Sequence, residues 1–202
     1  MLTAIELLAV ISGAIFGVLL ARRKHMDFVG VFSAACITSF GGGTVRDVLL
    51  DRHPLFWIEH AHYPIIVFVV AGIASLIPHI PAWIEKWLDV PDAFGLALFS
   101  VVGTEYALQA DVAPFVAVLF GVITGTFGGV MGDIVCNEVP SLFRPATPLY
   151  ATCAFIGCWI LIGAQALSLP PDTSRWVSAT FILMLRLLAL RYRICLKAIE
   201  SG

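Results

Sequence analysis

Charge is what this sequence has least of. Only 13% of its 202 residues are charged, where an ordinary soluble domain carries about a quarter. So few charges cannot cover a water-facing surface for a chain of this length, which excludes a soluble globular protein. The formal net charge of -2 is too small to indicate nucleic acid as a partner or a polybasic arm. Basic residues are missing ahead of the first apolar run and instead follow it, as Arg22, Arg23 and Lys24, so no cleavable signal is expected. Paired cysteine spacing is absent too. Cys36, Cys136, Cys153, Cys158 and Cys195 fall mostly inside apolar stretches and read as buried small hydrophobes. Gly41-Gly42-Gly43 matches neither the dinucleotide fingerprint nor a phosphate-binding loop, since no Gly-Lys-Ser/Thr follows. No local Ser/His/Asp or Cys/His set stands out, so neither an enzyme nor a cofactor is expected. His53, His60 and His62, with Asp51 and Glu59, gather in one connection and read as a polar interfacial loop before they read as a metal site.

What is present is apolar. Hydrophobic residues make up 59% of the chain and the mean hydropathy is +0.94. Seven apolar runs approach the length needed to cross about 30 Å of hydrocarbon. They are residues 4–21, 28–50, 63–79, 93–108, 114–136, 149–167 and 176–190. The expected fold is therefore all-α and polytopic. Prolines and aspartates punctuate the connections, at Pro81, Pro91, Asp111, Pro145, Pro148 and Pro170-Pro171-Asp172. Trp57, Trp83, Trp87 and Trp176 lie near span ends, as interfacial aromatics do. Seven spans put Arg22, Arg23, Lys24, Lys86, Arg144, Arg191, Arg193 and Lys197 on one side and only Arg52 and Arg175 on the other. The positive-inside rule then places the N-terminus outside and the C-terminus in the cytoplasm.

The two halves of the chain repeat one another. Gly42-Gly43-Thr44-Val45-Arg46-Asp47 aligns with Gly128-Gly129-Val130-Met131-Gly132-Asp133. The same offset pairs Thr38 with Thr124, Pro54 with Pro140, Gly17 with Gly103 and Ala21 with Ala107. Three spans separate equivalent positions, so the second copy is inverted relative to the first. The units expected are residues 1–88, 89–170, and an unrepeated seventh helix with its tail, 171–202. Inverted repeats of Gly-interrupted spans point to a transport pathway at the repeat interface.

Gly41-Gly42-Gly43 falls about 20 Å into its span, inside the hydrocarbon. Each glycine weakens a helix by about 1 kcal/mol relative to alanine. The second and fifth spans are therefore expected to bend or unwind at Gly41–Gly43 and at Gly125, Gly128 and Gly129. Their freed carbonyls would meet near the midplane, where they could hold a monovalent cation. Thr38, Ser39, Thr44, Thr124 and Thr126 supply slender polar lining. Gly13, Gly17 and Ala21, and Gly121, Gly125 and Gly129, also form small-xxx-small stripes that serve close helix packing. Arg46, Asp47, Asp133 and Glu105 are ionisable residues within or at the edge of spans, and such residues are functional candidates. Arg46 is expected to pair with Asp47 or, across the repeat axis, with Asp133. Glu105 is either part of the pathway or a neutral group hydrogen-bonded to a neighbour. Arg186 is expected to snorkel to the interface.

On these residues, Gly41 to Asp47 with Pro54 and Gly128 to Asp133 with Pro140, the chain resembles the bacterial membrane family of two tandem glycine-transporter-type domains. That family is similar to the trimeric intracellular cation channels, and this chain resembles their prokaryotic members. The resemblance implies seven helices in a three-plus-three-plus-one arrangement. It also implies a homotrimer with a separate pore in each subunit, lined by kinked helices two and five and passing potassium and other monovalent cations such as sodium. A bacterial inner membrane follows, with lipids as neighbours and bound lipid as an accompaniment. One departure stands out: Gly132 replaces the arginine that usually precedes the second aspartate. The alternatives are a secondary transporter of a small solute such as glycine, and a non-conducting assembly protein.

Overall fold

The computed structural model describes residues 2–77, 87–144 and 147–196. Seven helices carry most of it: α1 Leu2–Arg23, α2 Phe28–Leu49, α3 His62–Leu76, α4 Asp89–Gln109, α5 Pro114–Val135, α6 Ala151–Ala166 and α7 Pro171–Tyr192. A single helical turn, Phe56–Glu59, links α2 to α3, and a 3₁₀ turn, Ser141–Phe143, links α5 to α6. Each expected apolar run falls on one of these helices. The third run reaches His79, and its last two residues, with Pro81, Trp83 and Lys86, lie outside the described residues, as do Pro145 and Lys197.

Helices α1, α2, α5 and α7 are each 22 residues long and apolar enough to cross a membrane by length and composition. The apolar helices α3 and α6 are shorter, at 15 and 16 residues. At 1.5 Å per residue they rise about 22–24 Å, short of about 30 Å of hydrocarbon. Helix α4 spans 21 residues and carries Asp89 and Asp92 in its first turn and Glu105 just before its last.

The starts and stops of these helices follow from local chemistry. Asp27 caps α2, its carboxylate accepting from Gly30 N at 2.9 Å. Pro114 and Pro171 open α5 and α7, where the missing N–H costs nothing. At the other ends, His25, Asp51, Asp111, Asn137, Ser168 and Arg193 adopt left-handed backbone. Each lets the next N–H reach back to close the helix: Met26 N to Ala21 O, Arg52 N to Asp47 O, Val112 N to Ala107 O and Glu138 N to Asp133 O. The first two of these stops recur 86 positions later as the last two. The helix ends are thus repeated along with the glycines.

Helices α1, α2, α4 and α5 pack on one another at the centre. Helix α3 lies against α1 and α2, and α6 lies against α4 and α5 in the corresponding way. Helix α7 has no counterpart and covers α4 and α6. The core between them is made of small and β-branched residues, such as Ala9, Ala14, Ala34, Ala35, Val101 and Val102, all fully buried. Small side chains bring the backbones close, and packing at that distance is what holds helices together where lipid supplies no hydrophobic drive.

Candidate functional site

The two Gly-rich helices meet where the repeat expects them to. A Cβ added to Gly42 of α2 would stand 2.1 Å from Thr124 O of α5, and one added to Gly128 would stand 2.4 Å from Thr38 O. These are equivalent contacts, because 42 and 128, like 38 and 124, are 86 apart. The pattern continues outward. A Cβ on Gly17 would meet Thr38 Oγ1 at 2.3 Å, and one on Gly103 would meet Thr124 Oγ1 at 2.4 Å. Backbone therefore touches backbone at the crossing, and an ion does not fit between the two helices there.

The glycines do not break these helices, however. Helix α2 is continuous from Phe28 to Leu49 and α5 from Pro114 to Val135. The expectation that carbonyls at Gly41–Gly43 and Gly128–Gly129 are freed to hold a cation is corrected: they stay within the helical ladder. The physical reason is the crossing itself. The helix cost of about 1 kcal/mol per glycine is offset by an approach that any side chain at 42 or 128 would prevent.

Around the crossing lie the polar residues expected to line a path. Thr38 Oγ1 donates to Gly13 O at 2.8 Å, and Ser39 Oγ donates to Val10 O at 3.1 Å. Thr124 and Thr126 donate to Phe120 O and Val122 O within their own helix, at 2.6 and 2.8 Å. Gly125 packs over Ser100 and Leu96 O. Each of these hydroxyls directs its proton to a carbonyl, so its oxygen lone pairs are what it has left to offer a cation. Thr44 Oγ1 accepts from Trp57 Nε1 at 3.1 Å.

At the end of the bundle that carries the N-terminus, Arg46 is wholly buried. Its guanidinium pairs with Asp47 at 2.8 Å and faces Glu6 of α1 at 3.5 Å. It also lies over the rings of Tyr106, at 4.4 Å, and Phe56, at 5.1 Å. Asp47 Oδ2 accepts from Phe56 N at 2.8 Å, and Arg52 approaches its other oxygen at 3.5 Å. Tyr63 Oη lies 3.4 Å from Glu6. Arg46, Asp47 and Glu6 are thus paired out of contact with solvent, and Arg52 stands at the edge, partly exposed and 3.1 Å from Glu59.

The opposite end holds the second set. Asp133 Oδ2 accepts from Ser141 N at 2.7 Å, much as Asp47 accepts from Phe56 N. The alternative pairing of Arg46 with Asp133 is thereby corrected, since inversion has carried the two to opposite ends. Asp92 of α4 accepts from Tyr150 Oη at 2.8 Å, and Arg186 of α7 lies 3.9 Å away. Asp92, Asp133, Gly129 and Tyr150 line a cavity of about 120 Å³ with Phe16 and Leu20. Arg23, Lys24, Asp89, Glu138 and Arg144 stand at the same cavity. At its rim Lys24 bonds Glu138 at 2.5 Å and holds that carboxyl below the usual glutamate range, by the hydrogen bond first and by charge second.

Two further charged residues lie on the side of α7, Glu105 bonded to neighbours and Arg186 in a place other than the one expected. Glu105 pairs with Arg175 of α7 at 3.1 Å and accepts from Gln165 of α6, so it ties three helices together. Arg186 does not snorkel. It is 2% exposed, donates to Pro148 O and Leu149 O at 2.7 and 2.9 Å, and lies 4.6 Å over the Tyr150 ring. At that depth one guanidinium nitrogen serves two carbonyls just before α6, one of which also accepts from Cys153 Sγ at 3.2 Å. Glu6, Asp92, Tyr63 and Tyr150 were not singled out from the sequence. Glu6 and Asp92 were nonetheless detectable, being acidic residues at the repeat offset of 86.

Comparison with known proteins agrees with this architecture. The family model described as Glycine transporter matches the chain twice, over residues 3–79 and 89–166. The inner membrane protein YadS of Escherichia coli (strain K12) is 37% identical over 183 residues, covering 90% of this chain and 87% of that protein. A membrane protein of Vibrio cholerae is 36% identical over 184 residues, covering 91% and 76%. Among solved structures, a trimeric intracellular cation channel orthologue from Rhodobacter sphaeroides superposes with a TM-score of 0.88 at 32% identity, covering 95% of this chain and 97% of that one. Another TRIC cation channel gives 0.86 at 32% identity, covering 99% and 98%. Two copies of one family pattern, in a bundle whose glycine crossing is symmetric about their interface, leave a single assignment: this chain belongs to the Glycine transporter family and folds as the bacterial trimeric intracellular cation channels do.

Proposed function

We propose that this chain is a cation channel of a bacterial inner membrane, permeable to potassium and sodium. The path runs through each subunit between α1, α2, α4 and α5 and is closed in this conformation at the α2–α5 crossing. The observation that carries the reading is the symmetric approach of Gly42 to Thr124 and of Gly128 to Thr38. A contact made only of glycine and backbone can separate without breaking any side-chain bond, and hydroxyl oxygens at Thr38, Ser39, Thr124 and Thr126 then line the gap. Carboxylates stand at both ends, buried Glu6 and Asp47 at one and half-buried Asp92 with buried Asp133 at the other, which favours cations over anions. The solved relatives of this fold are described as cation channels. The homotrimer is proposed on the same ground, with lipid filling the grooves between subunits. The distribution of basic residues supports an N-terminus on the outside.

Purified protein in planar bilayers under a potassium chloride gradient tests this. Discrete currents reversing near the potassium equilibrium potential are expected, and well-reconstituted protein that stays silent would overturn the reading. The family description favours a second reading, a glycine transporter. Saturable glycine uptake with counterflow into liposomes, without unitary currents, would establish that one instead.

A further inference from the structure

The second repeat lacks an arginine where the first has Arg46, and the structure has filled the gap from outside the repeat. Equivalent positions make the comparison direct. Glu6 corresponds to Asp92, Asp47 to Asp133, and Tyr106 to Leu20. In the first repeat Arg46 sits between Glu6 and Asp47 with Tyr106 stacked on it. In the second, a Cβ on Gly132 would meet Thr38 Cγ2 at 2.5 Å and Leu20 Cδ2 at 3.4 Å, so the room an arginine would need there is taken. A guanidinium reaches Asp92 all the same, from α7. Arg186 is buried, 3.9 Å from Asp92, over the ring of the tyrosine that bonds Asp92. Tyr63 stands in the same relation to Glu6.

Resting on the channel reading, we infer that Arg186 is the counter-charge of the second repeat and sets the electrostatic potential of the mouth lined by Asp92 and Asp133. The unrepeated helix is then part of the conduction machinery. The two ends are built alike. At the first, Arg46 alone lies at depth with Glu6 and Asp47, because Arg52, 3.5 Å from Asp47, is partly exposed and engaged by Glu59 at 3.1 Å. At the second, Arg186 alone lies at depth beside Asp92, because Lys24 and Arg144 are both engaged by Glu138 at the rim. Arg186 therefore stands to its end as Arg46 does to the other. It acts on permeating ions through Asp92, so it is a positioning residue.

Removing a positive charge beside one mouth concentrates cations there and not at the other. In symmetric potassium chloride of low ionic strength, where screening is weak, Arg186→Met should rectify. Unitary current carried by potassium entering from the Asp92 mouth should rise about twofold relative to current in the other direction. Arg186→Lys, which keeps the charge but not the two bonds to Pro148 and Leu149, should stay close to wild type. Asp92→Asn should rectify in the opposite sense, and Arg186→Met with Asp92→Asn should return toward symmetry. Compared with Asp92→Asn alone, this last variant also serves if Arg186→Met does not assemble. A conducting Arg186→Met with unchanged rectification would overturn the proposal, as would a double variant that rectifies like Asp92→Asn alone, and as would equal rectification in Arg186→Lys and Arg186→Met, which would mark a packing role. A wild-type protein that passes no current fails the channel reading itself, so the two failures are distinct.

Discussion

Arg46 is the largest wholly buried side chain in the bundle, and its neighbours explain how a charge survives there. Two carboxylates and two aromatic faces surround the guanidinium, so its removal strands Glu6 and Asp47 in a dry site. Arg46→Met should therefore destabilise the protein by about 3–5 kcal/mol. The loss would be read as a lowered thermal midpoint in detergent, with part of it recovered by a further Glu6→Gln. An unshifted midpoint would mean that the carboxylates are neutral or wet without their arginine. At this scale the sequence was informative about identity and weak about partners. Arg46, Asp47 and Asp133 were recognisable because ionisable residues stand out in apolar spans. That Arg46 faces Glu6 instead of Asp133 depends on which ends the inversion brings together. For Glu105 the sequence leaves open a place in the pathway or a bond to a neighbour, and its partners, Arg175 and Gln165, lie 60 to 70 positions away.

At the scale of the helix, glycine changes meaning. Among the described residues none takes a left-handed backbone, and the turns are made by His25, Asp51, Asp111, Asn137, Ser168 and Arg193 instead. The glycines serve approach. Gly42 and Gly128 face backbone oxygen, which cannot move aside, whereas Gly72 and Gly163 have nothing within 4 Å. Gly42→Ala should cost about 1–3 kcal/mol by wedging α2 from α5. Gly72→Ala and Gly163→Ala should be neutral or gain up to about 1 kcal/mol from helix propensity. Thermal unfolding of the three variants side by side checks this, and a Gly42→Ala protein as stable as the other two would remove the crossing from the account. The same distances show why a helix break was the wrong inference from three consecutive glycines. Propensity describes an isolated helix, and here the energy gained by contact decides.

For the whole molecule, the pattern of basic residues, taken with seven crossings, gives the proposed orientation a test by labelling. Asp111 and Asn137 are exposed caps at opposite ends of α5. With the five native cysteines replaced, Asp111→Cys should react with a membrane-impermeant thiol reagent on intact cells, and Asn137→Cys only after permeabilisation. The reverse pattern would invert the molecule and place the Asp92 mouth outside.

The sequence by itself determined the solvent, the all-helical class with its order of apolar helices, and the internal repeat. Each is a local or periodic property: apolar runs, charge scarcity, and identities recurring at one offset. The tertiary structure alone decided that α2 and α5 cross unbroken and that Arg46 and Asp133 sit at opposite ends. It also decided that an arginine from the seventh helix, 54 positions past Gly132, takes up the charge that position lacks. These depend on which surfaces meet once the helices pack, and side chains distant along the chain supply the energies that choose among the possibilities the local pattern allows.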